Sequence, residues 1–482
     1  MVSPTRAVVD FVMRTKFEDL PQKIVNEVNL LVLDSIGCAL AGQKTAKANY
    51  GMAMAKKLGG PPEATIWGTR DKVSCAAAAF ANGERINALD WDAFTLPTHA
   101  PPIVVPAVLS VAENAKASGK QTVLALAIGF ELTQRLGSSI TGTHMKVFFD
   151  KADTGPKLGQ ITGTKYICAV VNPPVMASAA GLGKLLQFDS EKMANVIGVG
   201  CHFSPVPHAK WLHSDPGPMT KYIVCGWGAL SAVTAAQLAE MGFTSDTEVL
   251  DGDLGFWRTY GSGVWEPSVL TGNLGKEWIF PQHLMYKHFP CNGFYPTSLN
   301  CFNKIIDENN ISPDDIQEIR IQSYMGPWPL PPRDLMKTVK SHVHAEFHTP
   351  YVFALNAHKV DLAHWQDEEM MNDPQIHKFM DRVSIKVSVH PDFWKVRDKE
   401  PGANMTTVEV VARGKTFKEE GKFHKLAPTR ELAHLNADDL VKKFNNATAD
   451  VLSKDKASQA IDTILKLEQV KDISEVIKQV SS

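Results

Sequence analysis

Apolar residues spaced three and four apart run through the first half of this chain almost without a break, and no strand-length alternation interrupts them before about residue 270. A helical period sustained that far predicts an all-α body and leaves little room for a sheet. Ser3 and Pro4 form an N-cap and first-turn pair opening a helix to about Thr15. Leu20-Pro21 opens a second, with Ile24, Val28, Leu31 and Ser35 near one face, ending in L-D-S-I-G-C-A-L-A-G (33–42), where Gly42 supplies a stop. A short extended piece at 64–69 precedes an alanine-rich helix from about Ser74. Further helices are predicted from about Pro102 to Ser118, Gln121 to Ser139, Pro174 to Leu186, Asp189 or Ser190 to Cys201, and Pro218 to Met241. Between Thr141 and Lys165 the period dissolves into Gly, Thr, Lys and Asp, which reads as a long exposed loop.

The pattern changes near residue 270. I-Q-E-I-R-I-Q-S-Y (316–324), R-V-S-I-K-V-S-V (382–389) and T-T-V-E-V-V-A-R-G-K-T-F (406–417) alternate apolar and polar as half-buried strands do, the last as a hairpin around Gly414. Helical segments at about 292–309 and 348–358 lie among them, and after about residue 426 the chain is helical and charged again. The expected architecture is mainly α: a helical domain from residues 1–271 and 426–482, interrupted by an inserted α+β lid at 272–425, with a water-filled cleft where the two meet.

Composition narrows the functional classes. The 482 residues carry a formal charge of -2, with 44% hydrophobic and 21% charged residues, so no basic excess argues for nucleic acid. Seven cysteines, at 38, 75, 168, 201, 225, 291 and 301, form no C-x-x-C pair and read as reduced thiols of a cytoplasmic protein. The N-terminus has no signal-like apolar region, and no run reads as long and apolar enough to span a bilayer, so no membrane association is expected. His344 and His348 stand four apart without the adjacent acid of a zinc-protease helix, and the remaining histidines match no common ligand spacing.

Chemistry concentrates in A-F-A-N-G-E-R-I-N-A-L-D-W-D-A-F-T-L-P-T-H-A-P-P-I-V-V-P (79–106). Asp90 and Asp92 end the alanine-rich helix, Thr95 and His99 follow in a short irregular loop, and Pro101-Pro102 opens the next helix. A loop held between two rigid elements is where catalytic groups are commonly found, although an aspartate there can also simply cap a helix and a histidine pack at a turn.

Five motifs together resemble the MmgE/PrpD family: L-D-S-I-G-C-A-L-A-G, A-F-A-N-G-E-R-I-N-A-L-D-W-D, M-T-K-Y (219–222), Y-K-H-F-P-C-N (286–292) and H-A-E-F-H-T-P-Y-V-F-A (344–354). That family includes 2-methylcitrate dehydratase, cis-aconitate decarboxylase and iminodisuccinate epimerase. The resemblance implies a homodimer and an active site that needs neither metal nor organic cofactor. It places the catalytic groups at Asp90, His99, Lys221 on a helix and Lys287 on the lid, with Thr95, Tyr324, Asn292 and Cys168 at substrate-contacting positions. Where the family has a histidine before the helix at 174–186, this chain has Cys168, or Asn172 nearby; the polar residue closing the lid motif is Asn292.

The implied substrate is a small di- or tricarboxylate, and the reaction starts with proton abstraction next to a carboxylate. Lysines would neutralise the developing carbanion, and the neighbouring Asp90 would either orient His99 or take the proton itself. The implied activity is that of a 2-methylcitrate dehydratase-like lyase. The alternatives are an epimerase or isomerase, a decarboxylase, or a non-catalytic relative that binds an organic acid.

Overall fold

The computed structural model describes residues 3–95, 98–141, 172–205, 217–221, 224–259, 265–293, 295–323, 339–392, 395–396, 403–422 and 437–481. The expected loop at 141–165 lies outside these residues beyond Thr141, as do Tyr324 and Cys168.

The protein is mainly α-helical, and it has two hydrophobic cores. The first gathers side chains from Val8 to Tyr286 and again from Leu440 to Val480, so both chain ends build it. Its helices are α1 (Pro4–Arg14), α2 (Gln22–Gly42), α3 (Ala46–Leu58), α4 (Cys75–Ile86), α5 (Pro101–Asn114), α6 (Gly119–Thr141), α7 (Asn172–Leu185), α8 (Ser190–Phe203) and α9 (Cys225–Glu240), with short α10 (Phe256–Thr259) and α11 (Pro267–Thr271). Ser3, Ser74 and Asp189 cap α1, α4 and α8 through their side chains. Gly119 brings α6 against the C-terminal segment: its amide donates to Val470 O at 2.8 Å, and a methyl there would run into the Leu467 carbonyl.

Helix α2 corrects one expectation. By length and composition it could cross a membrane, but 83% of its apolar stretch is buried inside the protein. A helix surrounded by other helices is apolar on every side, which a hydropathy count alone does not distinguish from a membrane span. The first core also contains a two-residue ladder of β1 (Ala64–Thr65) and β2 (Lys72–Val73).

The second core runs from Phe289 to Ala412. It is built by α12 (Pro296–Glu308), α13 (His342–Phe347), α14 (Thr349–Ala357), α15 (Glu368–Met371) and α16 (Pro374–Arg382), packed with a four-stranded sheet. That sheet comprises β5 (Ile316–Ser323), β6 (Ser384–Val389), β7 (Thr406–Ala412) and β8 (Lys415–Gly421), in the order β6-β5-β7-β8. β5 and β6 pair in parallel, as the helical crossover between them requires, whereas β7 and β8 form the expected hairpin, turning at Arg413-Gly414 with both residues at positive φ. The chain then returns to the first core through α17 (Ala437–Thr448), α18 (Lys454–Ile464) and α19 (Ser474–Gln479).

One further ladder joins distant parts of the chain. β3 (Phe94–Thr95) pairs antiparallel with β4 (Leu284–Met285), so the loop after α4 lies beside the segment that leads from the first core to the second.

Candidate active site

The polar residues of A-F-A-N-G-E-R-I-N-A-L-D-W-D are buried and each has a structural task. Asn82 accepts from Trp67 N (3.0 Å) and donates to Thr65 O (3.0 Å), which fastens α4 to the β1 segment. Glu84 Oε1 accepts from Gly226 N at 2.7 Å, supplying an anion to the first turn of α9. Two glycines let these helices touch: a Cβ on Gly83 would lie 2.6 Å from Pro102 O, and one on Gly226 would collide with Phe80 O. The helix stops at Ile86, and Asp90 adopts φ 51°, a conformation a side chain rarely takes and that a local turn must hold in place.

What holds that turn comes from both chain ends. Asp34 of α2 accepts from Ala93 N (3.0 Å), and Lys443 of α17 donates to Asp34 (2.6 Å) and to Trp91 O (2.6 Å). Burial pushes the Lys443 ammonium toward neutrality, but the adjacent Asp34 carboxylate outweighs it and keeps the lysine charged. Trp91 Nε1 donates to His288 O at 3.1 Å, tying the loop to the Lys287 segment.

The centre is a buried four-residue cluster. Asp90 Oδ1 lies 2.9 Å from Lys221 Nζ and 2.8 Å from Lys287 Nζ, and Lys221 Nζ lies 2.7 Å from Glu346 Oε2. Lys287 also donates to Asp90 O at 2.9 Å. Asp90 and Glu346 are 0% exposed, Lys221 and Lys287 1%. Burial pushes the Asp90 carboxyl up, but Lys221 and Lys287 outweigh it and hold it below the usual range. Lys221 is likewise raised by Asp90 and Glu346 against the effect of burial. Glu346 goes the other way: desolvation lifts it to about 8, only partly offset by Lys221. Aromatic rings flank both lysines, Phe347 at 5.9 Å from Lys221 and Phe94 at 5.4 Å from Lys287.

Beside this cluster stands a second pair. His99 stacks on Phe94 with ring centroids 5.5 Å apart, and its Nδ1 lies 3.5 Å from Asp92 Oδ2. Burial lowers the imidazole below its ordinary value, and Asp92 restores part of the difference. Asp92 is held at about 2: the His99 contacts and the lysines overcome the desolvation that would raise it. Asn87 donates through Nδ2 to the other Asp92 oxygen (3.0 Å) and accepts through Oδ1 from buried Lys47 (3.2 Å). A neutral imidazole with Nδ1 turned to a fixed carboxylate leaves Nε2 able to accept a proton.

Asp90, His99, Lys221 and Lys287 therefore come together, but three details differ from the sequence expectation. The carboxylate beside His99 is Asp92; Asp90 is occupied by two ammonium groups, which makes it a poor base. Lys221 is not helical: α9 begins only at Cys225, and Lys221 closes a turn onto Pro218 O (3.0 Å) with φ 37°, which cannot continue a helix. The cluster is also buried rather than set in a water-filled cleft, with the Phe94 and Phe347 rings flanking its lysines.

The expected substrate-contacting positions fall out unevenly. Thr95 is buried on β3, its hydroxyl sharing a 2.6 Å hydrogen bond with that of Thr98. Asn292 donates its amide to Glu346 O at 2.9 Å and so positions α13. Next to it, a Cβ on Gly293 would meet the Phe94 ring at 2.7 Å, so that ring can sit over Lys287 only beside a glycine. Tyr324 and Cys168 lie outside the described residues. His344 and His348 serve the backbone through Nδ1, accepting from Lys340 N (3.3 Å) and Tyr351 N (3.1 Å). Among the described residues no group of three or more His, Cys, Asp or Glu is placed to hold a metal ion.

Glu346, Asp34, Lys443, Asn87 and Lys47 are the cluster members that sequence reading did not single out. The signal for Asp34 and Glu346 is a charge inside an apolar run, L-D-S-I-G and H-A-E-F-H, where a buried acid needs a partner. Lys443, in K-K-F, and Lys47 have no such mark.

The fold and this constellation define a two-core helical protein with a lysine-bridged carboxylate at the junction of its cores. The MmgE/PrpD N-terminal domain matches residues 6–267 and the MmgE/PrpD C-terminal domain residues 289–469; the chain belongs to the MmgE/PrpD family. Its relatives include the cis-aconitate decarboxylase of Homo sapiens, 23% identical over 482 aligned residues spanning 95% of this chain and 90% of that protein. That of Mus musculus is 22% identical over 500, spanning 98% and 92%. The cis-aconitate decarboxylase of Aspergillus terreus is 25% identical over 267, spanning 54% of this chain and 48% of that protein.

Proposed function

We propose that this protein is a cofactor-independent lyase acting on a small di- or tricarboxylate, 2-methylcitrate dehydratase-like, with the reaction begun by proton transfer at a carbon next to a carboxylate. The observation that carries the reading is the single oxygen of Asp90 held between two buried lysines, 2.9 and 2.8 Å away, beside the Asp92–His99 pair. Cations fixed before the substrate arrives are suited to a carboxylate whose neighbouring carbon turns into a carbanion. His99 Nε2 takes the proton, the electron pair left behind forms the double bond, and the hydroxyl on the adjacent carbon leaves as water with a returned proton.

Decarboxylation is the second reading, favoured by the cis-aconitate decarboxylases among the relatives. There the carbon–carboxylate bond breaks, carbon dioxide leaves, and the electron pair is protonated. Incubation with 2-methylcitrate, citrate and cis-aconitate separates the two. Growth of ultraviolet absorbance from a new carbon–carbon double bond with a hydroxy acid is the expected result. Carbon dioxide release from cis-aconitate would favour the second reading, and inertness toward all three would count against both.

The same reading includes a homodimer. Tyr50 on α3 and Trp227 on α9 are 66% and 52% exposed, next to Gly51 and Gly226, which both pack against Glu84. Large apolar side chains left exposed are suited to a second copy of the chain. Light scattering should give about twice the chain mass of 52.9 kDa, and Trp227→Asp should shift the population toward that of one chain. A wild-type protein of single-chain mass at micromolar concentration is the contrary result.

A further inference from the structure

We infer that Glu346 is a positioning residue that balances charge in the site: it takes up a proton when a polycarboxylate binds beside Lys221, so that anion binding and protonation of this buried carboxyl are one coupled event. The inference rests on the polycarboxylate reading above and adds a residue and a linkage to it.

With both acids ionised, Asp90 and Glu346 cancel Lys221 and Lys287, and the neighbouring Asp92 carboxylate adds a further negative charge, so the site offers an incoming anion no net attraction. A proton on Glu346 removes one negative charge and frees a Lys221 N–H from a competing carboxylate 2.7 Å away. Glu346 can accept that proton where Asp90 cannot. Asp90 is flanked by two ammonium groups, whereas among the described residues Glu346 pairs with Lys221 alone and its Oε1 makes no hydrogen bond. Across from it stand Asp90, which disfavours its charge, and Lys221 and Lys47, which favour it. On its own helix, His342 is kept neutral by burial, with a value of about 4, and the acids of neighbouring α15, Glu368 and Glu369, are exposed. Desolvation already sets Glu346 to about 8 without a ligand, and an anion nearby raises it further. Over the range from neutral to mildly alkaline pH, Asp90 stays ionised, His99 neutral and Lys221 protonated, so none of them supplies the same titration.

The probe is tricarballylate, a tricarboxylate with no hydroxyl to expel. Its Kd is measured between about pH 7 and pH 9.5 with the full-length protein, together with proton uptake from calorimetry in two buffers of different ionisation heat. For the wild type, Kd should be flat to about pH 8 and then rise roughly tenfold per unit, with uptake at pH 9 close to one proton per ligand. Glu346→Gln should bind with no slope and no uptake, whatever its thermal midpoint; a merely structural role would change the midpoint and keep the slope. A slope that persists in Glu346→Gln overturns the assignment, as does a wild type that binds without taking up a proton. The calorimetry on wild type decides this even if the variant does not fold. Absence of tricarballylate binding to the wild type at pH 7 overturns the polycarboxylate reading itself, a result distinct from pH-independent binding.

Discussion

Lys221→Met should abolish turnover and also unfold more easily than the wild type. The resemblance to the family places Lys221 on a helix, whereas the fold buries it in a turn. The side chain is buried, with one carboxylate at 2.9 Å and another at 2.7 Å. Removing the cation takes one of the two ammonium groups from Asp90 and leaves Glu346 without its ammonium partner, both carboxylates being fully buried. Breaking a buried pair by removing one partner costs about 3–5 kcal/mol, because the remaining charge is uncompensated. Part of that cost is relieved when Glu346 takes a proton, so the loss should be smaller at low pH than at high pH. The Glu346 carboxyl stands at about 8 with Lys221 beside it and rises further once that cation is gone, so its neutral form dominates at low pH. Urea denaturation of both proteins at two pH values measures this. An unchanged midpoint would show that Lys221 is not in a closed cluster in solution.

His99→Ala should lower kcat by about 10²- to 10⁴-fold, the usual contribution of a positioned general base, with a small effect on the denaturation midpoint. Asp92→Asn should also lower kcat while leaving KM nearly unchanged, because the carboxylate that fixes the ring is lost but the lysines proposed to hold the substrate remain. The pH profile distinguishes this assignment from a structural one. Burial lowers His99 from its ordinary 6.5, and Asp92 acts in the opposite direction, raising it. The base is active when unprotonated, so the acid limb of kcat in the wild type should lie below pH 6.5. Without the Asp92 charge that limb should move to still lower pH. Movement toward higher pH, or full activity in His99→Ala on a substrate the wild type converts, would remove His99 from this role.

Much of the helical body could be read from the chain alone. Apolar spacing, the Ser3, Ser74 and Asp189 caps and the strand alternation of 316–323, 384–389 and 406–421 are local properties, set by which residues bury well on one face of one element. Asp90 and His99 stood out in their loop, whereas Lys221 and Lys287 were located only by the resemblance of their motifs to the MmgE/PrpD family. Neither route could assign their partners. That His99 faces Asp92, and that Asp90 bridges two lysines, depends on φ 51° at Asp90 and φ 37° at Lys221, left-handed conformations that neither residue type announces. It depends also on contacts over long sequence separations: Asp34 with Lys443, Trp91 with His288, and the Phe94–Met285 ladder that brings Lys287 to the loop. Whether a lysine is solvated or sealed between carboxylates is decided by what packs over it. For Lys221, that is Glu346 and Phe347, more than a hundred residues further along the chain. Helices and strands follow from neighbours in sequence, and their order along the chain was determined there; the ionisation of this site follows from desolvation and charge at close range, which exist only once the two cores have met.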